Sequence, residues 1–74
     1  MKIAVTFENG VANIDITDWG FTTAPKVIAQ LMYSAGESVT GCYVKSNTLI
    51  TLYCYKGTAA VYGDFWVSFI AIGN

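Results

Sequence analysis

Apolar residues recur at every second position along most of this chain, and that period limits what it can become. Ile3, Val5 and Phe7 alternate with Ala4, Thr6 and Glu8. A strand turns successive side chains to opposite faces, whereas a helix brings apolar positions round every three or four residues. Asn9-Gly10 follows, the strongest short-range hairpin signal, because a tight two-residue turn needs positive φ at both central positions. Ile14 and Ile16 resume the alternation. Asp18-Trp19-Gly20 interrupts it, and Phe21-Thr22-Thr23-Ala24-Pro25 reads as a loop or bulge in which the proline ring holds Ala24 extended.

The next strand covers Lys26 to Tyr33, with Val27, Ala29, Leu31 and Tyr33 on one face and Ile28, Gln30 and Met32 on the other. The competing reading there is two helical turns with Pro25 at the first helical position. Ser34-Ala35-Gly36-Glu37-Ser38 is a turn, and Val39 to Val44 with Thr48 to Tyr55 forms a hairpin around Ser46-Asn47. Lys56-Gly57-Thr58 turns the chain again. Ala59 to Tyr62 is a short strand, and Phe65 to Ile72 closes the sequence with β-branched and aromatic residues. Six or seven short strands predict an all-β fold, a small antiparallel β-sandwich with residues 1–74 as its single domain.

Composition then raises a question of cover. With 54% of 74 residues hydrophobic and 12% charged, the chain carries about forty apolar side chains, and a domain this small hides only about 60% of the surface its unfolded chain exposes. Another copy, another protein or lipid must cover the surplus. Lipid fits worst: charges from Lys2 to Asp64 leave no stretch long enough for the roughly twenty apolar residues of a transmembrane helix. Glu8 also falls where the apolar core of a signal peptide would run. A net charge of −1, spread singly, offers no basic stripe for nucleic acid.

Cys42 and Cys54 are the only thiols. A two-residue turn at Ser46-Asn47 places them on opposite sheet faces. A three-residue turn places them on one face but diagonally, about 7–8 Å apart, beyond the reach of a disulfide. Without histidine, two cysteines supply half the ligands of a structural zinc site and no base for a thiol nucleophile, so neither metal nor cofactor is expected. Asp15 and Asp18 are the one close carboxylate pair, and a solvated strand position followed by a turn explains both. The chain reads as a non-enzyme.

Binding has better support. Eleven aromatic residues offer rings on which the apolar faces of sugars could stack. Tyr43, Tyr55 and Tyr62 lie near strand ends where a ring reaches solvent, and Asn47 and Asp64 are turn residues able to orient hydroxyl groups. Tyr53 shares a face with Leu49, Thr51 and Tyr55, while Ile50, Leu52 and Cys54 fill the other, and it reads as structural. On the last strand Trp66 shares a face with Ser68, Ile70 and Ile72, opposite Phe65, Val67, Phe69 and Ala71. Apolar on both sides, that strand is expected to be sandwiched, with Trp66, Phe69, Ile70 and Ile72 at a subunit interface and both tryptophans buried.

Two stretches resemble a known group. Phe21-Thr22-Thr23-Ala24-Pro25-Lys26-Val27 resembles the opening of the central strand in C-terminal tip domains of bacteriophage tail fibres and in the related H-type lectin fold. Phe69-Ile70-Ala71-Ile72-Gly73-Asn74 is similar to the closure with which many such fibres stop. The resemblance implies a β-sandwich assembled as a homotrimer, part of a longer fibre or a separate tip, carried on the virion after synthesis in the host cytoplasm, and presenting loops or strand edges to host-surface glycans. The sugar contacts of those lectins do not map cleanly onto this sequence, so the resemblance carries architecture and no binding residues. The alternatives to a receptor-binding tip are a purely structural module that ties three fibre chains in register without a ligand, and a small inhibitor that adds an edge strand to a partner's sheet.

Overall fold

The alternating segments become seven strands in a computed structural model that describes residues 1–34 and 36–73. They are β1 (Lys2–Phe7), β2 (Val11–Asp15), β3 (Lys26–Leu31), β4 (Ser38–Val44), β5 (Leu49–Lys56), β6 (Ala59–Ala60) and β7 (Gly63–Ile72), with a single 3-10 turn at Thr17–Trp19. Two antiparallel sheets result. One has the order β1-β7-β3; the other has the order β2-β5-β4, with β6 pairing the end of β5. The predicted turn at Ser34 to Ser38 includes Ala35, and the closing motif includes Asn74; both residues lie outside those described.

Asn9 and Gly10 both have positive φ, at 51° and 77°, and Glu8 and Val11 exchange both backbone hydrogen bonds at 3.0 Å across the turn. Glycine is required here on two counts. Its φ is left-handed, and a Cβ would lie 3.1 Å from the Cys54 carbonyl oxygen and 3.2 Å from the Tyr55 ring. The turn then does something a simple hairpin would not: β1 pairs with β7 and β2 with β5, so the chain changes sheets at Gly10.

The inward faces follow the sequence pattern. Val5 and Phe7 from β1, Ala12 from β2, Ile50, Leu52 and Cys54 from β5, and Val67 and Phe69 from β7 are buried, joined by Ile16 and Val61 from the connections. Burial of a side chain of this size contributes about 1.5–3 kcal/mol relative to exposure. Phe7 meets Phe65 edge to face at 6.1 Å, and Trp19 meets Phe69 in the same way at 5.5 Å.

Lys26–Leu31 is strand throughout, paired residue by residue with β7 from Lys26↔Ile72 to Leu31↔Val67, which removes the helical alternative. It stops two residues short of the expected Tyr33. Met32 still donates its N–H to the Trp66 carbonyl at 3.0 Å, and the chain then bends away towards β4. The two stretches that carry the fibre resemblance meet here. Val27 pairs with Ala71 and Ile28 with Ile70, while Gly73 approaches Pro25 so closely that a Cβ would lie 3.1 Å from the Pro25 Cα.

Four residues, Lys45 to Thr48, connect β4 to β5, and Lys45 N–H donates to the Leu49 carbonyl at 3.0 Å, enclosing a three-residue turn from Ser46 to Thr48. Cys42 therefore stands opposite Leu52, on the same face as Cys54, and both thiols are free. Burial pushes both up from the ordinary thiol value, and the Glu37 carboxylate adds to the rise at Cys54.

The expectation that both tryptophans are buried does not hold for the single chain: Trp19 is half-buried against the core, and Trp66 faces outward. Trp66 is 47% exposed, Ile70 59%, Ile72 66% and Ile28 64%, all on the outer face of the β1-β7-β3 sheet. The reason is topological: β7 is the middle strand of a sheet that has one neighbouring sheet, so only its Val67 and Phe69 side reaches the core. Phe69, 2% exposed, lies on that inner side and takes no part in the outer face.

Candidate functional site

A cleft of about 230 Å³ opens on the outer face of the other sheet, lined by Thr40, Gly41, Tyr43, Tyr53 and Tyr55. Strand parity builds most of it. On β5, Thr51, Tyr53 and Tyr55 alternate with the buried Ile50, Leu52 and Cys54, so the tyrosines face outward because the aliphatic residues face in. On β4, Tyr43 stands opposite Thr51 and Gly41 opposite Tyr53. The Tyr43 and Tyr53 rings meet at 5.5 Å and 88°, making a right-angled corner of two aromatic walls.

A β-bulge completes the cleft. Val39 pairs with Cys54 and Gly41 with Tyr53, leaving Thr40 without a cross-strand partner. Such an extra residue re-aims side chains locally, and here the Thr40 hydroxyl reaches the Tyr53 carbonyl at 3.4 Å. Beneath the corner Thr51 is 2% exposed, flanked by Asn13 and Tyr43, and its hydroxyl donates to Asn13 Oδ1 at 2.7 Å. That bond ties β2 to β5 behind the aromatic walls.

The residues singled out from the sequence fall into separate places. Tyr43 and Tyr55 line the cleft together. Tyr62 lies elsewhere, exposed, with its hydroxyl donating to Asn9 Oδ1 at 3.2 Å. Asp64, at the start of β7, accepts a hydrogen bond from the Thr6 hydroxyl at 2.6 Å. Asn47 is committed to the scaffold: its Nδ2 donates to the Phe21 carbonyl at 3.0 Å, tying the β4–β5 connection to the loop before β3. Tyr53, read as structural, forms a wall of the cleft while also packing on its neighbours. Thr40 and Gly41 were missed, although a glycine inside a strand pattern is itself a bulge signal.

The two aspartates keep apart in role. Asp15 accepts hydrogen bonds through Oδ1 from the Thr17 N–H at 2.9 Å and the Thr17 hydroxyl at 2.6 Å, which hold its carboxyl below the ordinary carboxylate value. Asp18 sits in the 3-10 turn. Among the described residues no group of three or more His, Cys, Asp or Glu side chains is placed to hold a metal ion, and no helix is long and apolar enough to cross a membrane.

The outer face of the β1-β7-β3 sheet is of a different kind. Ile28 and Ile70 are cross-strand partners, Trp66 and Ile72 extend the row along β7, and Lys2 Nζ lies 5.1 Å from the centre of the Trp66 ring. By their exposures these apolar side chains present a patch of a few hundred Å², in the range of the largest patches on ordinary monomers. Comparison of the chain with protein-family models, with curated proteins and with solved structures finds no match to any of them.

Proposed function

We propose that the chain is a non-enzymatic binding module, of the kind that tips a bacteriophage tail fibre, and that it holds a host-surface glycan in the Tyr43–Tyr53–Tyr55 cleft. The observation that carries this reading is the aromatic corner itself. Three phenols stand on one sheet face around a floor without a side chain, and aromatic rings of this type offer an apolar face and a polar edge together. The fibre resemblance of Phe21–Val27 and Phe69–Asn74 supports the setting.

In this reading the copies assemble through the outer face of the β1-β7-β3 sheet, around Trp66, Ile70 and Ile72, as a homotrimer like the fibre tips. The apolar patch supports an assembly; the number three comes from the resemblance. Identical shallow sites on one assembly combine weak contacts through effective concentration. A second reading, a purely structural module that ties chains in register without a ligand, draws on the same patch.

Glycan arrays and whole-cell adhesion with the intact chain separate the two. Adhesion is expected, lost in Tyr55→Ala and kept in Tyr62→Ala, because Tyr62 lies outside the cleft. If the assembled chain adheres to nothing, the binding reading falls and the structural one stands.

A further inference from the structure

We infer that Gly41 is the residue that admits the ligand, and that the ligand is a single uncharged sugar ring. This rests on the glycan reading of the cleft and narrows it. Gly41 is absent from the glycines with positive φ, so the backbone does not demand glycine there. What the missing side chain supplies is room for the Tyr43 and Tyr53 rings to close over the strand, and with it the shape of the cleft they wall. A Cβ at Gly41 would lie 3.0 Å from Tyr43 Cε2 and 3.3 Å from Tyr53 Cδ2, in the angle between the two perpendicular rings. Alanine would press on both rings, so that Tyr43 must shift and the cleft changes shape.

The lining sets the chemistry. Thr40, Tyr43, Tyr53 and Tyr55 supply hydroxyl groups and ring faces, and none of the five lining residues carries a charge. A carboxylate brought into the cleft would lose hydration without meeting a cation there, which disfavours it. An uncharged ring can lay its C–H face on one tyrosine and present hydroxyls to the phenols and to Thr40, all of which donate and accept. The volume of about 230 Å³ is below the roughly 300–1,000 Å³ of clefts that take drug-sized molecules, which fits one ring.

Rings that lean over a strand glycine also shield its backbone, so the experiment must read binding apart from packing. The intact chain is titrated with methyl glycosides of glucose, galactose and N-acetylglucosamine, and with those of glucuronic and sialic acid, while the ring resonances of the tyrosines are followed at low and high salt. A neutral glycoside is expected to shift Tyr43, Tyr53 and Tyr55 with an affinity that salt leaves unchanged. Gly41→Ala should weaken it by about tenfold or more with the fold spectrum retained.

Preference for the acidic glycosides, with affinity falling in salt, overturns the uncharged class and leaves the glycan reading intact. Undiminished sugar affinity in a folded Gly41→Ala chain, with only its unfolding midpoint moved, overturns the role of Gly41. If no glycoside moves any of the three tyrosines, this inference and the proposed glycan function fall together.

Discussion

On the β2-β5-β4 sheet the side chains turned outward include Asn13, Tyr43, Thr51, Tyr53 and Tyr55; on the β1-β7-β3 sheet they include Ile28, Trp66, Ile70 and Ile72. Both sets stand on strands whose other face is buried, and both lack a covering layer in the single chain. They differ in what water can do for them. The tyrosines carry hydroxyls with which water can bond while the Tyr43 and Tyr53 rings pack on each other, and Thr51 donates to Asn13 on the same face. The isoleucines have no polar atom to hydrate, and burying each contributes about 1.5–3 kcal/mol. One face can remain wet around a polar ligand, while the other gains most from being covered.

The sharpest way to break that comparison is to make the aliphatic face polar. Trp66→Ser with Ile70→Lys removes two large exposed apolar groups that do not reach the core, so the chain should stay folded while the association constant of the proposed assembly falls by at least about a hundredfold, read by sedimentation velocity. An unchanged assembly would remove this face from the interface. Next in size is Tyr53→Ala on the other face, which deletes a half-buried ring and its edge contact with Tyr43. About 2–3 kcal/mol of stability should be lost in urea unfolding, together with the proposed sugar binding.

A smaller effect is expected from Thr51→Val, which keeps the shape of the side chain but removes the hydroxyl bound to Asn13. The partner lies on an exposed residue and can turn to water, so a loss of about 1 kcal/mol is expected, checked by the unfolding midpoint. The smallest concerns Asp15, which is exposed and belongs to neither set of side chains. Its carboxyl is held below 3.8 by Thr17; a depressed folded-state pKa gives a contribution present above the unfolded value and lost as pH falls through the folded one. Unfolding midpoints of the native chain and of Asp15→Asn should therefore converge as the solution is taken to more acidic pH below 3.8. A gap that persists there would mean that the Thr17 bonds do not favour the charged form.

Much of the fold was legible because strand parity is local. The inward set of Ile50, Leu52 and Cys54 and the outward tyrosines of β5 follow from period two, and the Asn9-Gly10 turn from the φ values those residues accept. The cleft was half legible: Tyr43 and Tyr55 were found by their nearness to strand ends, while Asn47 and Asp64, chosen for polarity, proved to be engaged with Phe21 and Thr6. Thr40 and Gly41 escaped because a bulge is set by register between two strands, which no single segment encodes.

The sequence by itself determined where strands run, where they turn and which side of each is greasy, since these depend on bond geometry and on neighbours within a few residues. Only the tertiary structure decided that the chain changes sheets at Gly10, that β7 lies between β1 and β3 with one face bare, and that Tyr43 and Tyr53 from two strands meet over Gly41 with Tyr55 lining the same cleft. Those outcomes depend on contacts between residues far apart in the chain. Their energies are settled by how whole sheets pack, and many local patterns of the same kind are compatible with other pairings.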